Sequence, residues 1–301
     1  MIFTIRWLWL ICVIMLSQLA FADEPPGANQ ERLTAAFQAA EKAATKGPAV
    51  IKLLDEANLT LPDGEWFVPA AEAERIMDAL GNGTSSSTDG LILSPAADSQ
   101  WMVVVNWVKE GYVRDGDAKE WQADSLLESV REATEKQNEE RVRRGLPALD
   151  IVGWIEPPTY DGKAHRLVWS ISARDRGAPA DVPQTINYNT FALGRDGFFS
   201  LGLITDSASI GVDKAVVRQL LDHLIYVPGK GYNDFDQSTD RVAAYGLTAL
   251  VGAVAVHKLG LLAVIGVFLL KAWKLGLVGL AAAAAVVRRF VQWRRPPAEK
   301  Q

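Results

Sequence analysis

Cysteine is almost absent from the 301-residue chain, whose single cysteine is Cys12. Because Cys12 lies in an N-terminal apolar segment, the rest of the chain has no thiol for a disulfide, a nucleophile or a metal ligand. Histidine is also scarce, with three in the chain, which disfavours a zinc site. A disulfide-stabilised fold and cysteine chemistry are therefore excluded, and the hydrophobic core must stabilise the fold.

The common sequence motifs of nucleotide and cofactor binding are also missing. No P-loop, dinucleotide-binding glycine fingerprint or haem motif occurs. The segment "GRDGFFSLG" does not fit the G-x-S-x-G pattern of a hydrolase nucleophile. We therefore expect no cofactor.

The charge of −5 is divided unevenly along the chain. Residues 23–241 carry 22 basic and 35 acidic residues, so their net charge is 22 − 35 = −13. Residues 242–301 carry 8 basic residues and 1 acidic residue, which gives 8 − 1 = +7. An acidic main body argues against a nucleic-acid partner, because phosphate binding needs clustered positive charge.

The first 22 residues have the pattern of a secretory signal peptide. Arg6 supplies the positive charge, residues 7–16 supply the apolar core, and "AFA" at residues 20–22 is a small-residue cleavage pattern. This core is too short to cross a membrane comfortably. We expect cleavage before Asp23, and an uncleaved anchor is the alternative.

A long apolar region near the C-terminus is followed by four arginines. A membrane helix needs ~20 apolar residues, and basic residues mark the cytoplasmic side. We predict a membrane anchor region at residues 242–290, with one span at about 247–270 and a second apolar segment at 275–287 in the inner interface. Residues 291–301 are the predicted basic cytoplasmic tail. A re-entrant hairpin is the alternative, and it places the tail outside.

This layout puts Lys258 near the middle of the bilayer, where a lysine costs ~2.5–3.5 kcal/mol on insertion scales. Gly252, Gly260 and Gly266 allow close contact between membrane helices, so several chains could bury their lysines together. A cationic pore is less favoured than a simple anchor with snorkelling lysines. Membrane lipid is the expected partner of this region, with a homo-oligomer through the membrane segment as a second expectation.

Residues 23–241 are predicted to form an exported α+β domain, with helices packed on an antiparallel sheet. In the segments "HRLVWSISAR", "TINYNTFAL" and "GFFSLGLIT", core-facing and outward-facing residues alternate along the chain. This pattern predicts an antiparallel meander with a tight hairpin at "GRDG". Asp117 is the expected cap of the third helix. Apolar residues at helical spacing predict four helices, at about residues 31–47, 70–81, 117–144 and 212–227.

Five long motifs follow one another along the mature chain: "LPDGEWFVPAAEAERIMDALGN", "WVKEGYVRDGDAKEWQADSLL", "GWIEPPTYDGKAHRLVWSISAR", "NYNTFALGRDGFFSLGL" and "GYNDFDQSTDRVAAYGLTALVG". In this order they resemble the bacterial family catalogued as domain of unknown function 2167, over roughly residues 35–270. The resemblance implies an exported domain with a C-terminal membrane anchor. It implies no catalytic residue and no substrate.

An acidic stretch precedes the apolar region, with Asp234, Asp236 and Asp240 at alternate positions. The spacing is that of a calcium loop, but Thr239 and Tyr245 replace the glycine and the glutamate that an EF-hand requires. We expect no metal site and keep the three aspartates as weak candidates for one. The favoured interpretation is that Asp240 or a neighbouring hydroxyl caps the helix that becomes the membrane span.

Two groups of residues are candidates for chemistry or binding in the exported domain. Glu156 and Asp161 could act as paired carboxylates, and His165 with Asp161 could form a general base and its orienting partner. The residues Asn187, Tyr188, Asn189 and Arg195 lie on and beside the predicted hairpin. Asparagine is unfavourable in strands, so two at alternate positions indicate a polar network or a site for a glycan or peptide.

The expected function is that of a membrane-anchored envelope protein, acting as a non-enzymatic binding or scaffolding module for a protein or cell-wall partner. The predicted location is the bacterial inner membrane, crossed once, with the N-terminal domain exported to the periplasm or cell exterior. The alternatives are an envelope hydrolase that uses carboxylates and an oligomeric membrane assembly. A hydrolase should bring two carboxyl groups within ~5–10 Å.

Overall fold

The computed structural model of the protein describes residues 28–80, 88–96, 99–119, 121–143 and 145–251. The fold is α+β, as the sequence predicts. Its helices are α1 (Ala28–Ala43), α2 (Ala70–Ala79), α3 (Ala123–Arg143) and α4 (Ile210–His223).

Most strands belong to one large antiparallel sheet, with two small sheets beside it. In spatial order the eight-stranded sheet contains β1 (Thr45–Lys46), β4 (Trp66–Pro69), β5 (Gly90–Leu93), β6 (Met102–Val108), β11 (Phe198–Asp206), β10 (Thr185–Leu193), β9 (Arg166–Asp175) and β8 (Leu149–Asp161). An antiparallel three-stranded sheet contains β12 (Leu224–Tyr226), β3 (Ala57–Leu61) and β2 (Ala49–Leu53). A parallel pair joins β13 (Val242–Gly246) to β7 (Tyr112–Arg114).

Both faces of the large sheet are covered, which explains why its central strands are almost wholly buried. One face packs against α4 and the three-stranded sheet. The opposite face, here called the helical face, carries two separate apolar clusters. The first contains residues of α1 and α2 over β5 and β6, and the second contains residues of α3 over β9. A strip of the sheet between these clusters is polar.

The C-terminal part of the described fold is inserted into the second cluster. β13 is followed by a 3₁₀-helix, Leu247–Leu250. Leu247, Leu250 and Val251 each have 0% exposure and pack with α3 and β9. The Nε1–H of Trp169 in β9 donates to the Leu250 carbonyl at 3.1 Å. The folded domain therefore runs at least to Val251, ten residues beyond the boundary predicted at residue 241.

Asp117 fixes this segment instead of capping α3. Its two carboxylate oxygens accept hydrogen bonds from the backbone N–H groups of Leu247 and Thr248, both at 3.0 Å. A carboxylate in this position satisfies the free N–H groups at the start of the 3₁₀-helix. Gly246 is needed here because a Cβ atom would lie 2.5 Å from Asp117 Oδ2.

No helix of the described residues is long and apolar enough to cross a membrane. The predicted span at about 247–270 begins with residues that lie in the domain core, and its remainder lies outside the described residues. The same holds for the signal peptide, the 275–287 segment, and Gly252, Lys258, Gly260 and Gly266. Within residues 242–251 the buried side chains, Ala243, Leu247, Leu250 and Val251, belong to the cluster of α3 and β9, and hydropathy alone does not separate a core segment from a membrane segment.

The predicted helices and the β9–β10–β11 meander are confirmed, with changes at their ends. α1 ends before Thr45–Lys46, which form an edge strand in place of the predicted last turn. The predicted third helix is a 3₁₀-turn at Gly116–Lys119 followed by α3. The fourth ends at His223, because the next three residues pair with β3.

A buried acid makes stability depend on pH. Glu65 has 8% exposure, and its Oε2 atom has no hydrogen-bond partner in the described structure. Burial raises the pKa of Glu65 from 4.5 to about 7. The folded protein therefore holds this proton more tightly than the unfolded chain does, and stability falls as the pH rises from about 4.5 to about 7.

We expect Glu65→Gln to remove this pH dependence. The variant should be more stable than the wild type by about 1–3 kcal/mol at pH 8 and nearly equal to it at pH 4.5. Urea unfolding at the two pH values measures the difference. Asp63→Asn, at an exposed position two residues away, is the control. Its free energy of unfolding should depend on pH as that of the wild type does. If the stability of Glu65→Gln falls with rising pH as much as that of the wild type, Glu65 is not the group responsible.

Candidate functional site

Asn187 and Asn189 lie on β10 at the centre of the helical face. Each is opposite an apolar residue of β9: Asn187 pairs with Ile171, and Asn189 pairs with Trp169. The exposed fractions are 2% for Asn187 and 1% for Asn189. The two asparagines predicted to share a sheet face therefore do so, and they lie in the interior.

The neighbouring strand β11 adds two more residues to this polar area. Gly202 lies opposite Asn189, and Ser200, with 0% exposure, lies two pairs further along, opposite Phe191. We call the set Asn187, Asn189, Ser200 and Gly202 the polar strip. Its neighbours on the helical face are the apolar Val104, beyond Gly202 on β6, the apolar Trp169, beyond Asn189 on β9, and the polar Asn106, beyond Ser200 on β6.

Most polar side-chain atoms of the polar strip lack a hydrogen-bond partner among the described residues. Asn187 Nδ2, both Asn189 Nδ2 and Oδ1, and Ser200 Oγ are buried and make no hydrogen bond in the described structure. An unpartnered buried polar group costs about 1–3 kcal/mol, and most buried polar atoms in native proteins are paired. Four such atoms in adjacent positions therefore distinguish this strip from the rest of the sheet.

Gly202 gives the strip an open point. It is partly exposed, although its neighbours Leu201 and Leu203 on β11 are buried. Among the described residues, a Cβ atom built on Gly202 would have one neighbour within 4 Å outside the adjacent residues, Asn189 Oδ1 at 3.8 Å. A glycine inside a strand often marks close approach of a ligand or another backbone. The strip therefore has buried polar atoms beside accessible backbone, an arrangement suited to binding.

Tyr188 lies on the opposite face of the sheet, because successive side chains of a strand alternate. Its hydroxyl donates to Glu156 Oε2 at 3.0 Å and accepts from Arg218 Nε at 2.8 Å. Arg218 also binds both oxygens of Glu156. Burial raises the pKa of Tyr188 to about 12. Tyr188 is thus part of an ion-pair network with α4 and does not join Asn187 and Asn189.

Arg195 is also separate from the polar strip, since it lies in the turn after β10. Its guanidinium makes a two-pronged pair with Asp240, with Nε–Oδ2 at 2.6 Å and Nη2–Oδ1 at 2.9 Å. Arg195 holds the pKa of Asp240 well below its usual value. Asp240 precedes strand β13, so the expectation that it caps a membrane helix is wrong.

The other two aspartates of the acidic stretch turn towards their own loop. Asp234 Oδ2 accepts the Gly231 N–H at 2.9 Å. Asp236 Oδ1 accepts from the Ser238 hydroxyl at 2.7 Å and from its N–H at 2.9 Å, and these bonds lower the pKa of Asp236. Within the described residues no group of three histidine, cysteine, aspartate or glutamate side chains is arranged to hold a metal ion.

Glu156 and Asp161 have separate structural roles, and Asp161 is not the partner of His165. Asp161 Oδ1 accepts backbone N–H bonds from Lys163 at 2.8 Å and Ala164 at 3.2 Å, which lower its pKa. Glu156 is held by Arg218 and Tyr188. The two carboxylates have different partners, so these contacts do not form an acid–base pair of Glu156 and Asp161.

His165 belongs to a different chain of hydrogen bonds. Its Nδ1 lies 3.3 Å from the Tyr160 hydroxyl, which donates to Asp115 Oδ2 at 2.7 Å. Its Nε2 lies 3.1 Å from Asn233 Oδ1, and its ring packs on Tyr232. Burial is the main cause that raises the pKa of Tyr160 above its ordinary value, and the hydrogen bond to Asp115 is the second cause. These contacts join the β8–β9 turn to β7 and to the loop before β13.

The comparison with known protein families gives one match. The model of the family described as "Protein of unknown function (DUF2167)" matches residues 45–281. The chain belongs to the DUF2167 family. This match confirms the resemblance carried by the five sequence motifs. A comparison with curated proteins gives no match.

Two solved structures show distant similarity to this DUF2167 chain. One is the solution structure of cyanobacterial PsbP (CyanoP) from Synechocystis sp. PCC 6803, with 8% identity, a TM-score of 0.37, and coverage of 61% of this chain and 95% of that one. The other is a protein of unknown function from Pseudomonas aeruginosa, with 12% identity, a TM-score of 0.23, and coverage of 60% and 97%. At these TM-scores neither similarity supports an argument about this protein.

Of the four predicted binding residues in this DUF2167 protein, the structure brings two together and separates the others. Asn187 and Asn189 share the polar strip, whereas Tyr188 and Arg195 make ion-pair networks elsewhere. Sequence analysis missed Ser200 and Gly202 because their position beside the asparagines depends on the β10–β11 register. The glycine inside the predicted strand "GFFSLGLIT" was the available signal.

Proposed function

We propose that this DUF2167 protein is a membrane-anchored envelope protein whose folded domain lies outside the inner membrane and binds a partner through the polar strip. The anchoring proposal is supported by the sequence: a signal-like N-terminus, an acidic body of net charge −13, and an apolar C-terminal region with basic residues. The binding proposal is supported by the unpartnered polar atoms beside the accessible Gly202.

The unpartnered amides of Asn187 and Asn189 are the observation that carries the binding proposal. Folding alone gives no reason to place two asparagines on a buried sheet face, because leucine or valine would fill the same positions at lower cost. A partner that supplies hydrogen bonds removes this cost when it binds. Proteins commonly keep unfavourable groups where function needs them.

A hydrolase and an oligomeric assembly have less support as alternatives. The contacts of Glu156 and Asp161 account for both carboxylates without a reaction. Assembly through membrane helices depends on Gly252, Lys258, Gly260 and Gly266, which lie outside the described residues. Binding without chemistry is therefore the function that the described fold supports best.

Capture of partners from membranes tests this function. We expect the intact protein to resist carbonate extraction, and to capture after crosslinking an envelope component that Asn187→Ala/Asn189→Ala captures at least tenfold less. Asn58→Ala, a partly exposed asparagine on β3, is the matched control and should capture as the wild type does. Extraction by carbonate would refute the anchor, and equal capture by the double variant would refute binding through the strip.

A further inference from the structure

The polar strip has a defined hydrogen-bonding pattern. Asn187 Nδ2 is a donor, Asn189 offers both the donor Nδ2 and the acceptor Oδ1, and the Ser200 hydroxyl can act in either way. All of these atoms are buried and unpartnered. A ligand of the strip must therefore present both acceptors and donors, as an amide does.

The strip also selects against charge. None of its residues is ionisable, and its neighbours across the sheet, Val104, Asn106 and Trp169, carry no charge. An ion placed here would lose its hydration without gaining a counter-charge from the strip, which is far more costly than burial of a neutral polar group. The ligand group that enters the strip should be neutral.

The spacing of the asparagines matches a trans secondary amide. Side chains at alternate positions of an antiparallel strand are ~6.8 Å apart along it. The C=O and N–H of a trans amide point in opposite directions. Two hydrogen bonds of ~2.9 Å and the ~2.3 Å between the amide oxygen and nitrogen place the two partners roughly 8 Å apart, about 1 Å more than the strand spacing, a difference that rotation of the asparagine side chains can supply. Asn187 Nδ2 could then donate to the ligand carbonyl while Asn189 Oδ1 accepts the ligand N–H.

We propose that the polar strip binds a neutral ligand through a trans secondary amide, with Gly202 as the floor on which the amide lies. This inference rests on the proposed function and specifies its ligand chemistry. Asn189 Nδ2 and Ser200 Oγ remain available for a second polar group of the ligand, such as a hydroxyl or carbonyl. An acetamido sugar and a peptide both carry this amide, and envelope material offers both.

Binding of small amides to the intact protein in detergent tests the ligand class. The probes are N-acetylglucosamine for a sugar source and N-acetylalanine methylamide for a peptide source, each at 20 mM. Glucosamine, in which a charged amine replaces the amide, is the control. We expect at least one amide probe to raise the Tm by about 2–6 °C, as for a ligand with a millimolar Kd, and glucosamine to have no effect.

Two variants assign the effect to the strip. Asn189→Leu removes the donor and acceptor, and Gly202→Ala fills the floor with a methyl group whose contact with Asn189 Oδ1, at 3.8 Å, is an ordinary one. Each should fold and should weaken binding of the active probe at least tenfold. Thr60→Val, at an exposed position of β3, should leave binding unchanged.

Each outcome decides the ligand class. A shift with only one amide probe identifies its source as sugar or peptide. Absence of a shift with both probes, an equal shift with glucosamine, or full binding by both strip variants would overturn the amide proposal. If the probes fail while Asn187→Ala/Asn189→Ala still loses its crosslinked partner, the ligand class is wrong and the proposed function stands. If capture is also unaffected, both are wrong.

Discussion

A protein that ends at residue 241 is expected not to fold, whereas one that ends at Val251 is expected to unfold cooperatively. The ten extra residues contain strand β13 and the buried Leu247, Leu250 and Val251. Full burial of three such side chains contributes about 5–9 kcal/mol. That amount is comparable with the ~5–15 kcal/mol of a typical domain, so its loss should abolish the folded state.

Thermal unfolding of residues 23–241 and 23–251, followed by circular dichroism, measures this difference. A finer version uses Leu247→Ala/Leu250→Ala in the longer protein, with an expected loss of about 4 kcal/mol or more. Val212→Ala, at a valine with 77% exposure, is the matched control and should change stability by less than ~0.5 kcal/mol. Cooperative unfolding of the shorter protein at a similar Tm would show that residues 242–251 are not part of the core.

This boundary shows what an apolar run in a sequence can and cannot establish. Residues 242–251 continue without interruption into the longer apolar region that follows. The two stretches have similar hydropathy, that of a buried helix. What distinguishes them is tertiary: β13 pairs with β7, and Asp117 binds the N–H groups of Leu247 and Thr248. Asp117 is 130 positions away from Leu247, so no local pattern reports the contact.

The fold class was predictable because local patterns agree with the tertiary structure. Strands β9, β10 and β11 follow in order with short connections, and the hairpin at Gly194–Gly197 has the expected turn residues. Ends of elements were less predictable. His223 ends α4 because the following residues pair with β3, more than 160 positions earlier, and helical spacing alone would continue to residue 227.

The candidate site was half predictable for the same reason. Alternation along one strand correctly places Asn187 and Asn189 on the same face, and it should also have placed Tyr188 on the other. Ser200 and Gly202 join them through strand pairing, which the sequence does not specify residue by residue. Arg195 was selected as a ligand-binding group, but Asp240 occupies its guanidinium.

Replacement of both strip asparagines by leucine is expected to stabilise the protein while abolishing partner binding. Leucine has a similar branched shape and needs no hydrogen bonds, and it suits a strand between apolar neighbours better than asparagine does. Removing two unpartnered buried amides should raise the free energy of unfolding by about 2–5 kcal/mol. Gains of this kind at the cost of activity are typical of functional sites.

Asn138 provides the opposite case within the same fold. It is an asparagine of α3 with 4% exposure, and its amide is fully engaged. Its Oδ1 accepts the Leu149 N–H at 2.7 Å, and its Nδ2 donates to the Leu149 carbonyl at 3.0 Å. Asn138→Leu leaves both backbone groups of Leu149 unpaired, and we expect it to lower the free energy of unfolding by about 2–4 kcal/mol.

The direct test is urea unfolding of residues 23–251 as wild type, Asn187→Leu/Asn189→Leu and Asn138→Leu, side by side at one pH. A site kept for binding predicts that the strip variant is more stable than the wild type and that Asn138→Leu is less stable. If the strip variant loses stability as Asn138→Leu does, the two amides serve the fold, and the proposal that they are held ready for a ligand is contradicted.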